Sequence, residues 1–182
     1  KRDFKFPKNL ESTITIIGSN ISGDEYDNIF EKGISVVTTR DLRWKRVDIK
    51  SLNLLAPVLA KQFAYEKKAQ EAWLIDDDGY VTEGSSSNAW ILIGNTVYTR
   101  PISSSILNGI TRKTLIKGLH KYGYKLKEKK FNLTDIKKSK EAYITSATQY
   151  VMPVTKIDNK KIGNGKVGKF AKIFKDIYME SV

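Results

Sequence analysis

Few residues of this chain are equipped for covalent chemistry. Cysteine is absent and there is one histidine, His120, so the chain offers no thiolate nucleophile, no disulfide and no thiolate metal site. His120 lies in Leu119-His120-Lys121-Tyr122-Gly123, where a helical pattern ends at a glycine and a cation satisfies the last carbonyls. We read it as a capping or surface residue, which argues against a Ser-His-Asp triad and against a histidine-based metal centre. Lys50 is different. It stands in Arg43-Trp44-Lys45-Arg46-Val47-Asp48-Ile49-Lys50-Ser51-Leu52-Asn53-Leu54-Leu55, where an extended segment gives way to an apolar, helix-patterned one. A lysine among mostly apolar neighbours loses hydration, which disfavours its charged form and frees its amine to attack carbonyl carbon. Schiff-base chemistry is the expected use.

Three further blocks carry chemistry-bearing residues. Glu83 ends a predicted strand in Val81-Thr82-Glu83-Gly84-Ser85-Ser86-Ser87-Asn88; on its own, Glu-Gly-Ser reads as a turn. Ile106-Leu107-Asn108-Gly109-Ile110-Thr111-Arg112 opens a predicted helix, and a helix N-terminus offers unpaired N–H groups and a positive dipole end to an anion. The same residues also read as an ordinary N-cap. The last block is Ile144-Thr145-Ser146-Ala147-Thr148 with Met152-Pro153-Val154.

The segment Asp48-Ile49-Lys50-Ser51-Leu52-Asn53-Leu54-Leu55 resembles the cofactor-lysine segment of the fold-type IV, pyridoxal phosphate-dependent aminotransferases, and within them the D-amino acid aminotransferases. The other three blocks follow in that family's order, and the resemblance covers nearly the whole chain. It implies an α+β fold of the D-amino acid aminotransferase-like type, pyridoxal 5'-phosphate as cofactor, and ping-pong transfer of an amino group between a D-amino acid and a 2-oxo acid. It also implies roles. Lys50 would hold the cofactor aldehyde and later carry a proton to and from the substrate α-carbon. Glu83 would pair with the pyridine nitrogen, with Ser86 beside it and Leu107 against the ring. The backbone of Ile110 and the side chain of Thr111 would bind phosphate, together with the loop of Ser146 and Ala147. Arg43 matches an arginine that approaches the cofactor's phenolic oxygen.

The sequence departs from the family in two places. Ala147 stands where many relatives carry a threonine, and losing one charge-assisted hydrogen bond weakens cofactor retention by roughly 1.5–3 kcal/mol. Arg2-Asp3-Phe4-Lys5-Phe6-Pro7 resembles a family segment Arg-x-His-x-Phe-Pro whose arginine grips the substrate carboxylate across a dimer interface. Arg2 keeps that role, and Phe4 removes the second donor. The resemblance places residues 1–30 as an interdomain connector with a first strand and residues 31–182 as the cofactor-binding C-terminal domain. The family's small N-terminal domain is expected to be absent, consistent with a first residue other than methionine. With it would go a second phosphate-binding arginine, an active-site tyrosine and one wall of the pocket, leaving weak cofactor binding or no turnover. The implied assembly is a homodimer. A branched-chain L-amino acid aminotransferase or an aminodeoxychorismate lyase are the alternatives within the class; an inactive remnant or a basic nucleic-acid-binding module are those outside it.

Composition bounds these readings. The chain has 182 residues, 40% of them hydrophobic, enough for one domain with a core. Its longest apolar runs, residues 54–60 and 89–93, are too short to cross a bilayer, so no membrane association is expected, and a reducing cytoplasm is the default. The net charge of +12 raises nucleic-acid binding. However, the densest lysine cluster, residues 117–140, alternates with core-type residues as solvated faces do, and no RNP-like motif, zinc finger or glycine-rich nucleic-acid loop is present.

The elements that must position these residues follow from periodicity and turn chemistry. Strands are predicted over residues 12–17, 34–39, 72–75, 80–82, 88–93, 96–99, 125–131, 142–145 and 150–157. A turn-rich loop and a short polar segment are expected between the first two. Helices are predicted over 52–67, 110–121, 133–139 and 167–179, with Pro57 tolerable only near a first turn. Asp77-Asp78-Gly79 and Gly94-Asn95 are hairpin signals, suggesting a mostly antiparallel meander over residues 72–99.

Overall fold

The computed structural model describes residues 4–6, 8–19 and 23–181, and it has the expected α+β architecture. Strand β1 (Ile34–Arg40) runs parallel to two neighbours, β2 (Glu71–Ile75) and β8 (Tyr150–Ile157). A strand so enclosed must be apolar on both faces, and it is: Ile34 and Val36 enter the main core, whereas Val37 enters a second, smaller one. That smaller core is closed by helix α2 (Leu55–Glu66), which lays Ala60 and Ala64 on Ala72 and Leu74. Pro57 falls in its first turn, where the missing N–H has no helical partner to lose.

The sheet order is β3-β2-β1-β8-β7-β4-β5-β6, with β3 at Val81–Gly84, β4 at Asn88–Ile93, β5 at Thr96–Thr99, β6 at Lys125–Glu128 and β7 at Glu141–Ser146. The β2–β3 and β4–β5 hairpins form as expected, but the meander does not. After β3 the chain makes a tight turn, with Gly84 N–H donating to Ser87 O at 2.6 Å and Ser85 N–H to Ala72 O at 3.0 Å. The turn leads β4 across the core to pair with β7 instead of β3. The two ends of the order then curl together: Val81 N–H donates to Phe131 O at 2.9 Å, and the rings of Trp73 and Phe131 meet edge to face at 6.0 Å. This curl ends β6 at Glu128 rather than residue 131, because Phe131 turns inward and is buried.

The other face carries helices α3 (Ile110–Lys121) and α5 (Lys169–Met179), which bury Leu115, Leu119, Phe174 and Ile177. A short helix, α4 (Leu133–Lys138), is fixed by a capping box between Asn132 and Asp135. The lysines of residues 117–140 are exposed on α3, the edge strand β6 and α4, as solvated faces require.

The N-terminal expectations fail. Residues 12–17 form no strand: Ile14, Ile16 and Ile17 are 81–90% exposed, since β-branched residues make a strand only where a sheet edge receives them. In place of the polar segment stands helix α1 (Gly23–Lys32). Tyr26 and Phe30, one turn apart, dock it: the Tyr26 hydroxyl donates to Val151 O at 2.8 Å, and the Lys175 ammonium lies 5.0 and 4.8 Å from the two ring centres. No helix among the described residues is long and apolar enough to cross a membrane.

Candidate active site

The turn after β3, the irregular segment between β1 and α2, the N-terminus of α3 and the β7–β8 turn converge on one cavity of about 520 Å³. It gathers all the residues singled out from the sequence except Arg2, which lies outside the described residues: Lys50, Arg43, Glu83, Ser86, Leu107, Ile110, Thr111, Ser146 and Ala147.

Lys50 lines this cavity but is not buried as expected. Its apolar neighbours do not shield it, because Ile49, Leu52 and Leu54 are themselves 46–94% exposed on a segment without helix or strand. Its amine is therefore open to the cavity and to water.

Glu83 is the most constrained group of the site. Its side chain is 5% exposed. Arg43 donates to Oε1 at 2.5 Å, Asn88 Nδ2 to Oε2 at 2.7 Å, and the Leu107 N–H reaches both oxygens at 3.1 Å. Burial nevertheless pushes its carboxyl up to about 7, against the opposing pull of Arg43. Arg43 compensates incompletely because it is shared. It donates to Asp41 at 2.9 and 2.7 Å from Nε and Nη2, and to Ser105 O at 3.2 Å. Burial by itself would raise Asp41; the Arg43 fork and the Thr82 hydroxyl reverse this and hold it below its usual range. The same two carboxylates overcome the burial of Arg43 and hold its guanidinium above the ordinary value. With both carboxyls ionised, Asp41, Arg43 and Glu83 carry one net negative charge, which suits a further cation such as a protonated ring nitrogen beside Glu83. Arg43 thus lines the cavity while paired with both carboxylates.

The N-terminus of α3 has no side-chain cap, because its N-cap residue is Gly109. A Cβ at Gly109 would lie 2.6 Å from Asn88 Oδ1, so glycine allows the uncapped turn to approach the amide that holds Glu83. Ile110 is exposed to the cavity. Thr111 is buried, and its hydroxyl donates to Ser146 O at 3.0 Å, tying α3 to the β7–β8 turn. An uncapped helix N-terminus, exposed hydroxyls at Ser86 and Thr148, a half-buried one at Ser146 and an incompletely neutralised carboxylate are a donor set that fits a phosphorylated, protonated heterocycle. Among the described residues no cluster of histidine and carboxylate could hold a metal.

Two supporting residues escaped the sequence reading. Asn88 donates its amide to Glu83 and to Leu107 O at 2.9 Å. Glu71, fully buried, accepts from the N–H groups of Ala72 and Ser85 and the hydroxyls of Ser85 and Ser87, at 2.5–3.2 Å. It thereby fixes the turn between Glu83 and Asn88. Asn88 was at least inside a recognised block; Glu71 gave no local signal beyond an acidic residue opening a strand.

Residues 2–157 match the family described as amino-transferase class IV. The D-alanine aminotransferase of Bacillus licheniformis is 45% identical over 142 residues, 78% of this chain and 50% of that protein. The one of Staphylococcus haemolyticus is 39% identical over 168 residues, covering 92% and 58%. Among solved structures, a T.th. branched-chain amino acid aminotransferase superposes with a TM-score of 0.77 at 30% identity, over 82% of this chain and 52% of that one. Its structure with pyridoxamine 5'-phosphate gives 0.76 at 29%, over 83% and 52%. The chain spans about half the length of the curated relatives it matches.

Proposed function

The chain belongs to the class IV aminotransferases, and from that premise we propose that it is the pyridoxal 5'-phosphate-binding part of an enzyme moving an amino group between a D-amino acid and a 2-oxo acid. The observation that carries this reading is the single cavity that gathers Lys50, the buried Glu83 and the uncapped N-terminus of α3. When bound, pyridoxal phosphate supplies an aldehyde that takes up the amino group and a ring that accepts electrons from the α-carbon. The exposed Lys50 Nζ would hold the aldehyde and, as a free amine, would carry the proton to and from the substrate α-carbon. Glu83, positioned by Arg43, Asn88 and the Leu107 N–H, keeps the ring nitrogen protonated. The first turn of α3 and the Ser146 turn would hold the phosphate, and Leu107 would lie against the ring. In this reading Arg2 binds the substrate carboxylate.

Greater identity to D-alanine aminotransferases than to branched-chain aminotransferases of known structure favours a D-amino acid substrate of the D-alanine type, with 2-oxoglutarate as acceptor. The structural likeness itself favours the second reading, a branched-chain L-amino acid. Residues 31–182 form the cofactor-binding domain in this proposal, preceded by a connector. A homodimer is supported by Leu55, Val58, Leu59 and Phe63, which leave one stripe of α2 exposed at helical spacing. The chain's lack of cysteine supports a cytoplasmic location.

The test is addition of pyridoxal phosphate to the purified chain. A visible absorbance band from lysine-bound cofactor is expected, and Lys50→Ala should lose it. On the longest product of the gene, transamination of D-alanine rather than L-leucine with 2-oxoglutarate is expected. The reverse preference would establish the second reading; salt-sensitive DNA binding without the band would favour a basic binding module instead.

A further inference from the structure

At the β7–β8 turn the cavity is lined by Ser146, Ala147 and Thr148, and the residue between the two hydroxyls has none of its own. We propose that Thr148 donates the hydroxyl that position 147 lacks, so that Ser146 and Thr148 are the side-chain donors that the β7–β8 turn offers to the cofactor phosphate. This rests on the reading that the cavity holds pyridoxal phosphate.

A threonine hydroxyl has one proton to donate. That of Thr111 is directed to Ser146 O at 3.0 Å, and the residue is 1% exposed. Its side chain thus staples α3 to the β7–β8 turn at the wall of the cavity, which it also lines. Ala147 presents a methyl group. Ser146 Oγ accepts from the Gln149 N–H at 3.1 Å, which leaves its own proton for a ligand. Thr148 lines the cavity and is exposed, with Oγ1 3.5 Å from Ser146 Oγ. That separation is longer than an ordinary O–H···O bond, so neither hydroxyl firmly occupies the other, and both can donate to oxygens of one phosphate.

The turn is also braced. Tyr150, which follows it, adopts φ +48, a left-handed conformation unfavourable for a bulky side chain. Its ring is held edge-on to Tyr26 at 5.4 Å and stacked on Tyr178 at 5.6 Å. The two hydroxyls are thus presented by a turn anchored at both ends, to α3 by Thr111 and to α1 and α5 by Tyr150.

The experiment compares the affinity of the chain for pyridoxal phosphate with that for pyridoxal, which lacks the phosphate, following the visible band and protein fluorescence. Thr148→Val is expected to weaken pyridoxal phosphate binding by about 10- to 100-fold, the worth of one hydrogen bond to a charged acceptor, and to leave pyridoxal binding unchanged. Thr148→Ser should bind as wild type, and adding Ala147→Thr to Thr148→Val should recover most of the loss. Should Thr148→Val prove unfolded by far-UV circular dichroism, the Ser variant and Thr148→Ala supply the same comparison. Unchanged pyridoxal phosphate binding in folded Thr148→Val, or equal loss for both ligands, overturns the assignment of Thr148 alone. Wild type that binds neither ligand overturns the cofactor reading and this assignment with it.

Discussion

Replacing Glu83 with glutamine should alter the pH dependence of stability, because glutamine keeps the shape but cannot titrate; its NH2 would meet a donor where one carboxylate oxygen accepted, so a pH-independent loss of stability is expected beside the pH effect. Burial pushes the Glu83 carboxyl up to about 7 from its ordinary 4.5, since Arg43 divides its charge with Asp41. The folded chain therefore retains a proton that the unfolded chain has already released. Between about pH 4.5 and pH 7 the native state binds more protons, so unfolding free energy falls as pH rises through that window and levels off above it. A gap of about 2.5 pH units corresponds to roughly 3–4 kcal/mol at about 1.4 kcal/mol per unit. That is a large share of a typical domain's total of about 5–15 kcal/mol. Urea unfolding of the cofactor-free wild type and Glu83→Gln, at pH values across the window, isolates the effect in their difference. The wild type should lose roughly 3–4 kcal/mol relative to the variant as the window is crossed. A difference that stays level within about 0.5 kcal/mol would show that burial does not hold the proton on Glu83, and the electrostatic argument for the site would fail.

Two further predictions concern the supports of the cavity. Glu71→Ala should cost at least about 3 kcal/mol in urea unfolding, because it orphans several buried donors, whereas Glu71→Gln should cost only about 1 kcal/mol. The asymmetry arises because Oε1 takes three donors while Oε2 takes only the Ser87 hydroxyl, which can rotate to accept from an amide. Gly109→Ala should cost about 1–2 kcal/mol in stability, as an overpacked contact does. Its backbone is unstrained at φ −58, so the new methyl acts by striking Asn88 Oδ1, and pyridoxal phosphate affinity should fall as the amide is pushed from Glu83. Titration of the visible band alongside thermal unfolding separates the two effects.

The positions of Glu83, Gly109 and Ser146 were legible because each sits at the end of an element marked by local signals, a strand run, a turn or a helix start, whereas Lys50, on a segment without helix or strand, was legible from its motif alone. Helix α3 and strands β4, β5 and β8 matched their predicted bounds for the same reason. What could not be read locally were partnerships. Arg43 lies 40 residues from Glu83, Ser87 lies 16 from Glu71, and Thr111 lies 35 from Ser146. The β-branched residues 12–17 looked like a strand and found no edge, whereas the polar α1 became ordered through two aromatic rings that meet α5 and β8.

By itself, then, the amino-acid order determined which side chains carry chemistry and roughly where each helix or strand lies, since periodicity, caps and turns act over a few residues. Tertiary structure decided the strand order, the exposure of Lys50, the raised carboxyl of Glu83 and the bond from the Thr111 hydroxyl to Ser146 O. Burial and proton affinity depend on every atom that excludes water from a group, and those atoms come from distant parts of the chain.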